Sequence, residues 1–239
     1  MLETYKKSAA ALVLSLAGQV AGCSPDTSSA ETPGSAAPPV AIEAAAGDQL
    51  SAPESSRGAA TLRMVVAPTG NEVRYRIREQ LARVELPNDA IGKTTEVTGG
   101  IAIGDNGQII AAESKFVVNV ASLASDRDRR DGYVRSRTLQ TDQHPTVEFS
   151  PLRLQGLPRV LPTSGSHTFD MTGNLTVRGV TRPATWKVTA RPANGEVSGS
   201  AWTAFTFADF NIDQPRVSIV LSVADTIRLE YDFRLVPKK

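Results

Sequence analysis

Over most of the stretch from Val73 to Leu235 the apolar residues recur at every second position, and this limits the fold more tightly than any other feature of the chain. Val73, Tyr75 and Ile77 alternate with Arg74, Arg76 and Arg78. Phe116, Val118 and Val120 alternate with Lys115, Val117 and Asn119. Phe169, Met171, Gly173, Leu175 and Val177 are interleaved with polar residues, and Trp186, Val188 and Ala190 face away from Lys187, Thr189 and Arg191. The last run sets Ile227, Leu229, Tyr231, Phe233 and Leu235 against Arg228, Glu230, Asp232 and Arg234. Successive side chains of a strand point to opposite sides, so this period gives one dry and one wet face only to extended chain. Asn106-Gly107 and Asn194-Gly195 sit between such runs and suit tight hairpins, which need positive φ at successive residues. Arg178-Gly179-Val180-Thr181-Arg182-Pro183 is a third connection, with Gly for backbone freedom and Pro to restrict re-entry. Eight or nine strands with short links imply an all-β antiparallel meander. One polar face per strand implies a closed barrel or a sandwich.

One segment lacks the period. Ser125 to Leu139 reads as a single helix laid across one end of the sheet, capped by Ser125 and with Asp126 and Asp128 in its first turn. Tyr133, Val134 and Leu139 supply its buried face. The arginines here, Arg127, Arg129, Arg130, Arg135 and Arg137, have two readings. They form forked hydrogen bonds to a lipid phosphate, for which Arg130, Arg135 and Arg137 are the headgroup candidates. Or they pair with the interleaved Asp126, Asp128 and Asp131 on a solvated helix.

The N-terminus reads as an address. Lys6 and Lys7 precede a short apolar run, too short to span a bilayer comfortably, and then small residues. Val20-Ala21-Gly22-Cys23 resembles the lipobox of bacterial lipoproteins. The resemblance implies a signal peptide over 1–22, lipidation of Cys23 and anchorage in the membrane of an exported protein that faces the periplasm or cell exterior. Ser24 follows the Cys, which by the same resemblance implies the outer membrane in a two-membrane bacterium. Of the 37 residues from 24 to 60, Ala, Ser, Pro and Gly make up 25. Such a stretch buries too little apolar surface to offset chain entropy and reads as a disordered tether of roughly 30–40 Å mean span. Residues 61–239 form the β-rich domain.

Composition excludes several functions. The net charge of +1 is far from the basic surplus of a nucleic-acid binder. Two histidines and one cysteine cannot build a Cys₂His₂ zinc site, a CxxC redox pair or an internal disulfide. Asp209 to Asp213 echoes half a calcium loop, but Gln214 stands where the loop needs Gly and Val220 where it needs Glu. No metal and no cofactor is expected. No Gly-x-Ser-x-Gly elbow accompanies His144 or His167, so no catalytic set is assigned.

Four stretches, in order, resemble the YceI family of bacterial lipocalin-like, polyisoprenoid-binding proteins. They are Ser114–Leu123, Arg130–Leu139 with His144–Phe149, Gly173–Pro183, and Ala204–Phe210. The closest of them, Gly173-Asn-Leu-Thr-Val-Arg-Gly-Val-Thr-Arg-Pro183, is similar to the family's G-x-L-T-x-x-G-V-T-R-P hairpin. His144-Pro145 replaces the family's usual Tyr-Pro, and the start from Thr61 lacks its usual opening. The resemblance implies an eight-stranded antiparallel barrel, with or without an extra short strand, that holds a long isoprenoid or other apolar lipid without changing it. Tyr75, Phe116, Val118, Phe169, Met171 and Leu175 are candidate wall residues, with Trp186, Val188, Phe205, Phe207, Tyr231 and Phe233. The alternative is a solid barrel that serves as a structural or partner-binding envelope domain. An esterase-type enzyme is a more distant reading. A homodimer is compatible with any of these.

Overall fold

The computed structural model describes residues 60–82, 85–218 and 220–238. Residues 1–59, on which the expected signal peptide, the lipidation site Cys23 and nearly all of the expected tether fall, lie outside the described residues. Among the described residues ten strands form one antiparallel sheet. They are β1 (Ala60–Val66), β2 (Glu72–Leu81), β3 (Asn88–Thr94), β4 (Val97–Gly104), β5 (Lys115–Asn119), β6 (Thr146–Gln155), β7 (His167–Val177), β8 (Val180–Ala193), β9 (Glu196–Thr206) and β10 (Val220–Pro237). The order β1-β4-β5-β6-β7-β8-β9-β10 closes on itself, because β1 also pairs with β10. The ring therefore has eight lanes.

The two remaining strands extend lanes already present. β10 pairs with β1 at Leu235↔Val66 and then with β2 from Asp232↔Glu72 onward, so β1 and β2 run along the same edge of β10. In the same way β4 pairs with β1, and β3 with β2. Each of these lanes is one long strand with a kink. Local chemistry makes the first kink. Pro68 has no N–H to donate, and Gly70 takes φ +87°, which side chains disfavour. Buried Asn71 then pins the kink: its Nδ2 donates to the Ala67 carbonyl at 2.8 Å, and its Oδ1 accepts from Arg234 N at 3.0 Å.

Asn194 and Gly195 take the turn that their sequence favours, with φ of 53° and 79°. The connection expected over Arg178–Pro183 closes sooner, in a two-residue turn with φ of 51° at Arg178 and 74° at Gly179. The other expected tight hairpin differs. At Asn106-Gly107 only Gly107 is in the left-handed region, with φ 77°, and the chain returns for the single bridge Ile103↔Ile109 before a 3₁₀ turn at Ala111–Glu113. Pro183 also departs from expectation, since it lies inside β8 opposite Asn174. Counted from the closing pair Val177↔Val180, it falls at a position that makes no hydrogen bond to β7. On its other side β9 pairs only from Lys187 onward, so the missing N–H leaves no acceptor unmet.

The outward positions of β2 and β10 carry an ion-pair ladder. Arg74 bonds Glu72, Glu230 and Asp232 at 2.7–2.8 Å, and Arg76 reaches Asp89 at 3.0 Å. Arg228 bonds Glu230 at 2.9 Å and lies 4.1 Å over the Trp202 ring. Opposite charges on facing strands are the polar half of the period-two pattern.

The helical segment consists of α1 (Asp128–Tyr133) and a π-helical continuation, Val134–Leu139, that ends at Gln140 with φ 53°. Ser125 is not its cap. The N-cap is Arg127, which makes no side-chain capping bond. Ser125 is drawn instead to Asp131, whose carboxylate accepts from Ser125 N at 3.0 Å and Ser125 Oγ at 2.6 Å. The buried residue of α1 is Asp131, while Tyr133, Val134 and Leu139 are half-buried. Among the described residues no helix is long and apolar enough to cross a membrane.

Candidate functional site

The barrel encloses a cavity of about 890 Å³. That is near the upper end of the ~300–1,000 Å³ typical of small-molecule sites. A ring of eight strands is just wide enough either to be filled by its own side chains or to hold one ligand.

Each lane contributes inward positions. β2 supplies Val73, Tyr75 and Ile77, and β5 supplies Phe116 and Val118. From β7 come Phe169, Met171 and Leu175, and from β8 come Trp186 and Val188. β9 and the residue just beyond it bring Phe205 and Phe207, and β10 brings Tyr231 and Phe233. All twelve wall candidates thus line one cavity. β5 and β10 are not neighbours in the sheet, so Phe116 and Tyr231 meet across the lumen, edge-on at 6.4 Å between centroids. Phe149 and Trp186 tilt together at 5.7 Å, and Tyr231 and Phe233 likewise. These are separations at which aromatic pairs attract. Tyr75 packs against Gly92 of β3: a Cβ there would come within 2.3 Å of the ring, so any other residue would displace the Tyr75 side chain.

The polar atoms of the wall are few. Tyr231 Oη donates to Asn71 Oδ1 at 2.9 Å. The Tyr75 hydroxyl, Trp186 Nε1 and Thr138 Oγ1 are buried without a hydrogen-bond partner. Burial pushes the Tyr75 hydroxyl up to about 12. Arg130 opposes this, and the carboxylates of Asp131 and Glu79 add to it. Burial also raises Tyr231, so both phenols stay neutral at physiological pH.

Charge gathers at the helix end. Glu79, Arg127, Asp128, Arg129 and Arg130 all border the cavity there. Arg130 reaches from α1 to Glu79 of β2 at 2.6 Å and also bonds Asp126, with the Arg130 and Glu79 side chains 12% and 8% exposed. Burial works against the Arg130 charge, but Asp126 and Glu79 outweigh it and hold its pKa above the ordinary value. Of the other headgroup candidates, Arg135 donates to the Leu123 carbonyl at 3.0 Å and Arg137 is exposed. Neither borders the cavity. His167 borders it at the opposite end, where Nε2 lies 2.8 Å from the Ser164 carbonyl oxygen.

Sequence reasoning missed part of the wall. Leu62 and Met64 of β1 and Ile101 and Ile103 of β4 also face inward. Both pairs alternate, but Gly99-Gly100 blunts the pattern of β4 and the kink interrupts that of β1. Leu157, Leu161 and Pro162 close over the end opposite the helix from a loop without any period, so no local signal marks them.

An eight-lane antiparallel barrel around an apolar cavity, with one helical segment at its end, is a lipocalin-like barrel. The chain belongs to the YceI-like domain family, which matches residues 64–235. It is 30% identical over 118 residues to a UPF0312 protein of Pseudomonas putida strain GB-1, covering 46% of this chain and 58% of that one. A UPF0312 protein of Azotobacter vinelandii is 35% identical over 74 residues, covering 30% of this chain and 35% of the relative. The chain thus spans about 58% of the length of the first of these curated relatives. Among solved structures, a polyisoprenoid-binding domain from Saccharophagus degradans implicated in plant cell wall breakdown superposes with a TM-score of 0.58 at 12% identity. The match covers 74% of this chain and 99% of that one, and it shows the shared fold.

Proposed function

We propose that the chain binds a long apolar lipid, an isoprenoid, inside the barrel and does not alter it chemically. The observation that carries this is the distribution of polarity in the wall: apolar along its length, with the charged residues grouped at the helix end. An amphiphile would lie with its tail in the lumen and its polar end beside α1, where Arg130 borders the cavity and Arg135 and Arg137 lie on the same helical segment. The polyisoprenoid-binding description of the Saccharophagus degradans domain supports the same reading. A tail burying several hundred Å² gains on the order of 10–20 kcal/mol gross, at ~25 cal/mol per Å². Association and ordering costs offset much of it.

Native mass spectrometry of detergent-free protein, with organic extraction, tests this. Wild type should yield a long-chain lipid. Val188 is 3% exposed, and Val188→Arg should abolish uptake, though a buried unpaired charge also costs stability. Ala190→Phe, which fills space without adding charge, should lower uptake and keep a cooperative melt. Empty wild-type extracts would refute the proposal and leave a partner-binding envelope domain in its place.

The lipobox-like Val20–Cys23 supports anchorage of this barrel to the envelope. Two or more acyl chains would hold it firmly, at ~0.8 kcal/mol per buried methylene. Cys23→Ala should leave the barrel folded and release it from membranes or stall its processing. A processed variant that still fractionates wholly with membranes would count against anchorage.

A further inference from the structure

We infer that the helix-end mouth of the barrel docks on the surface of a lipid bilayer, so that cargo passes between membrane and cavity without crossing water. This rests on the lipid-binding reading and adds to it the surface from which the lipid is taken.

The mouth can be located from exposure. The cavity-lining residues that are also solvent-exposed are Arg127, Asp128, Arg129 and Ser218, all at the helix end. At the opposite end Leu157, Leu161 and Pro162 border the cavity only half-exposed. Two large apolar side chains stand out into solvent beside the mouth. Leu86, 75% exposed, lies in the link between β2 and β3. Leu221, 68% exposed, follows Val220, which pairs with Leu81 at the end of β2. Leu81 and Val220 line the cavity, as do Pro215 and Val217 of the preceding loop. Apolar surface therefore runs from the exposed leucines into the lumen.

The occupant follows from area and charge. Two leucines fall far short of the ~800 Å² per partner that a stable protein interface buries. They do suit shallow insertion among acyl chains, where affinity follows buried apolar area and the anchor proposed at Cys23 would supply high local concentration. Exposed Arg127, Arg129, Arg137 and Arg216 stand among exposed Glu85, Asp126, Asp128, Asp142, Asp209 and Asp213, so this end carries no basic surplus to draw anionic lipid. Docking by this surface is thus apolar, with the arginine stems available to lie along the interface.

The test uses the full chain with Cys23→Ser and one new cysteine, Leu86→Cys, Leu221→Cys or, as the control, Val160→Cys. Val160 is 84% exposed and lies in the β6–β7 link at the opposite end. Each cysteine carries an environment-sensitive fluorophore, which reports its own surroundings whatever else in the chain attracts the membrane. On phosphatidylcholine vesicles the label at 86 and 221 should shift to the blue and brighten by about two-fold or more, with no change at 160. The response should persist at high salt and without phosphatidylglycerol. No response at 86 and 221, an equal response at 160, or a response that requires phosphatidylglycerol would overturn the inference. A concentration-dependent response without vesicles would mean that a second copy covers this surface, which also overturns it. Lipid extracted from the same labelled proteins separates the two readings. Loaded protein that does not dock refutes only the docking, and docked protein with empty extracts refutes only the lipid binding.

Discussion

Asn71 shows what one buried side chain does for this barrel. It is 7% exposed and makes three hydrogen bonds of 2.8–3.0 Å, to Ala67 O and from Arg234 N and Tyr231 Oη. They hold a kinked lane onto β10 and fix a phenol of the cavity wall. Asn71→Ala would strand the Arg234 N–H and the Tyr231 hydroxyl, at a cost of about 1–3 kcal/mol for a buried group left unpaired. The expected outcome in a thermal melt is a fall of several degrees. Asn71→Asp, which keeps the acceptor but loses the donor, should fall by a different amount. An unchanged melting temperature for Asn71→Ala would show that water replaces these bonds. Nothing local in the sequence marks Asn71 as a tie between lanes, because Tyr231 and Arg234 lie 160 and 163 residues away.

At the scale of the element, a buried ion pair adds to the apolar contacts of Tyr133, Val134 and Leu139 in holding the helical segment to the barrel. α1 buries Asp131 and holds to the barrel through Arg130 on Glu79. Breaking a buried pair by removing one partner typically costs about 3–5 kcal/mol, because the other charge is left uncompensated. Arg130→Met should therefore loosen residues 126–139 in hydrogen exchange while β7, β8 and β9 keep their protection. Arg130→Met with Glu79→Leu should recover part of the loss, since neither charge then remains buried. If the single variant exchanged no faster there than wild type, the ion pair would not be what holds the segment. The interleaved Asp and Arg residues showed that salt bridges were available here. They did not show that Arg130 takes Glu79, some fifty residues earlier on β2.

For the molecule as a whole, the outer ladder ties stability to acid. Burial opposes ionisation of Glu230, but Arg74, Arg76 and Arg228 outweigh it and hold its carboxyl below the usual range. Glu72 beside Lys93 and Arg74 is lowered as well, as are Asp89 beside Arg76 and Arg78 and Asp126 beside Arg130. A carboxyl depressed in the folded state stabilises it fully above the unfolded value, ~3.9–4.3 for Asp and Glu. That contribution disappears as pH falls through the lower folded value. The melting temperature should thus be steady near neutrality and drop below about pH 4. Glu230→Gln should melt lower at pH 7 and lose less on acidification. A variant with the same acid slope as wild type would exclude Glu230 as a source of that dependence.

Period two is a local property, and so where it is clean the sequence alone determined what is local: that β2, β5, β7, β8 and β10 are strands, which side of each is dry, and that Asn194-Gly195 turns the chain. Phe169, Trp186 and Phe233 could be assigned to the interior because alternation leaves no other face for them. The tertiary structure alone decided how the strands combine. β1 and β2 share a lane because β10 offers them one continuous edge, and β4 and β3 share the next because β1 and β2 in turn offer them one. It also decided that the inward aromatics surround a cavity instead of filling it. Alternation says that Phe116 and Tyr231 point inward; only the diameter and stagger of a closed ring set whether such side chains meet across the lumen or leave it open, and those depend on pairings between residues far apart in the chain.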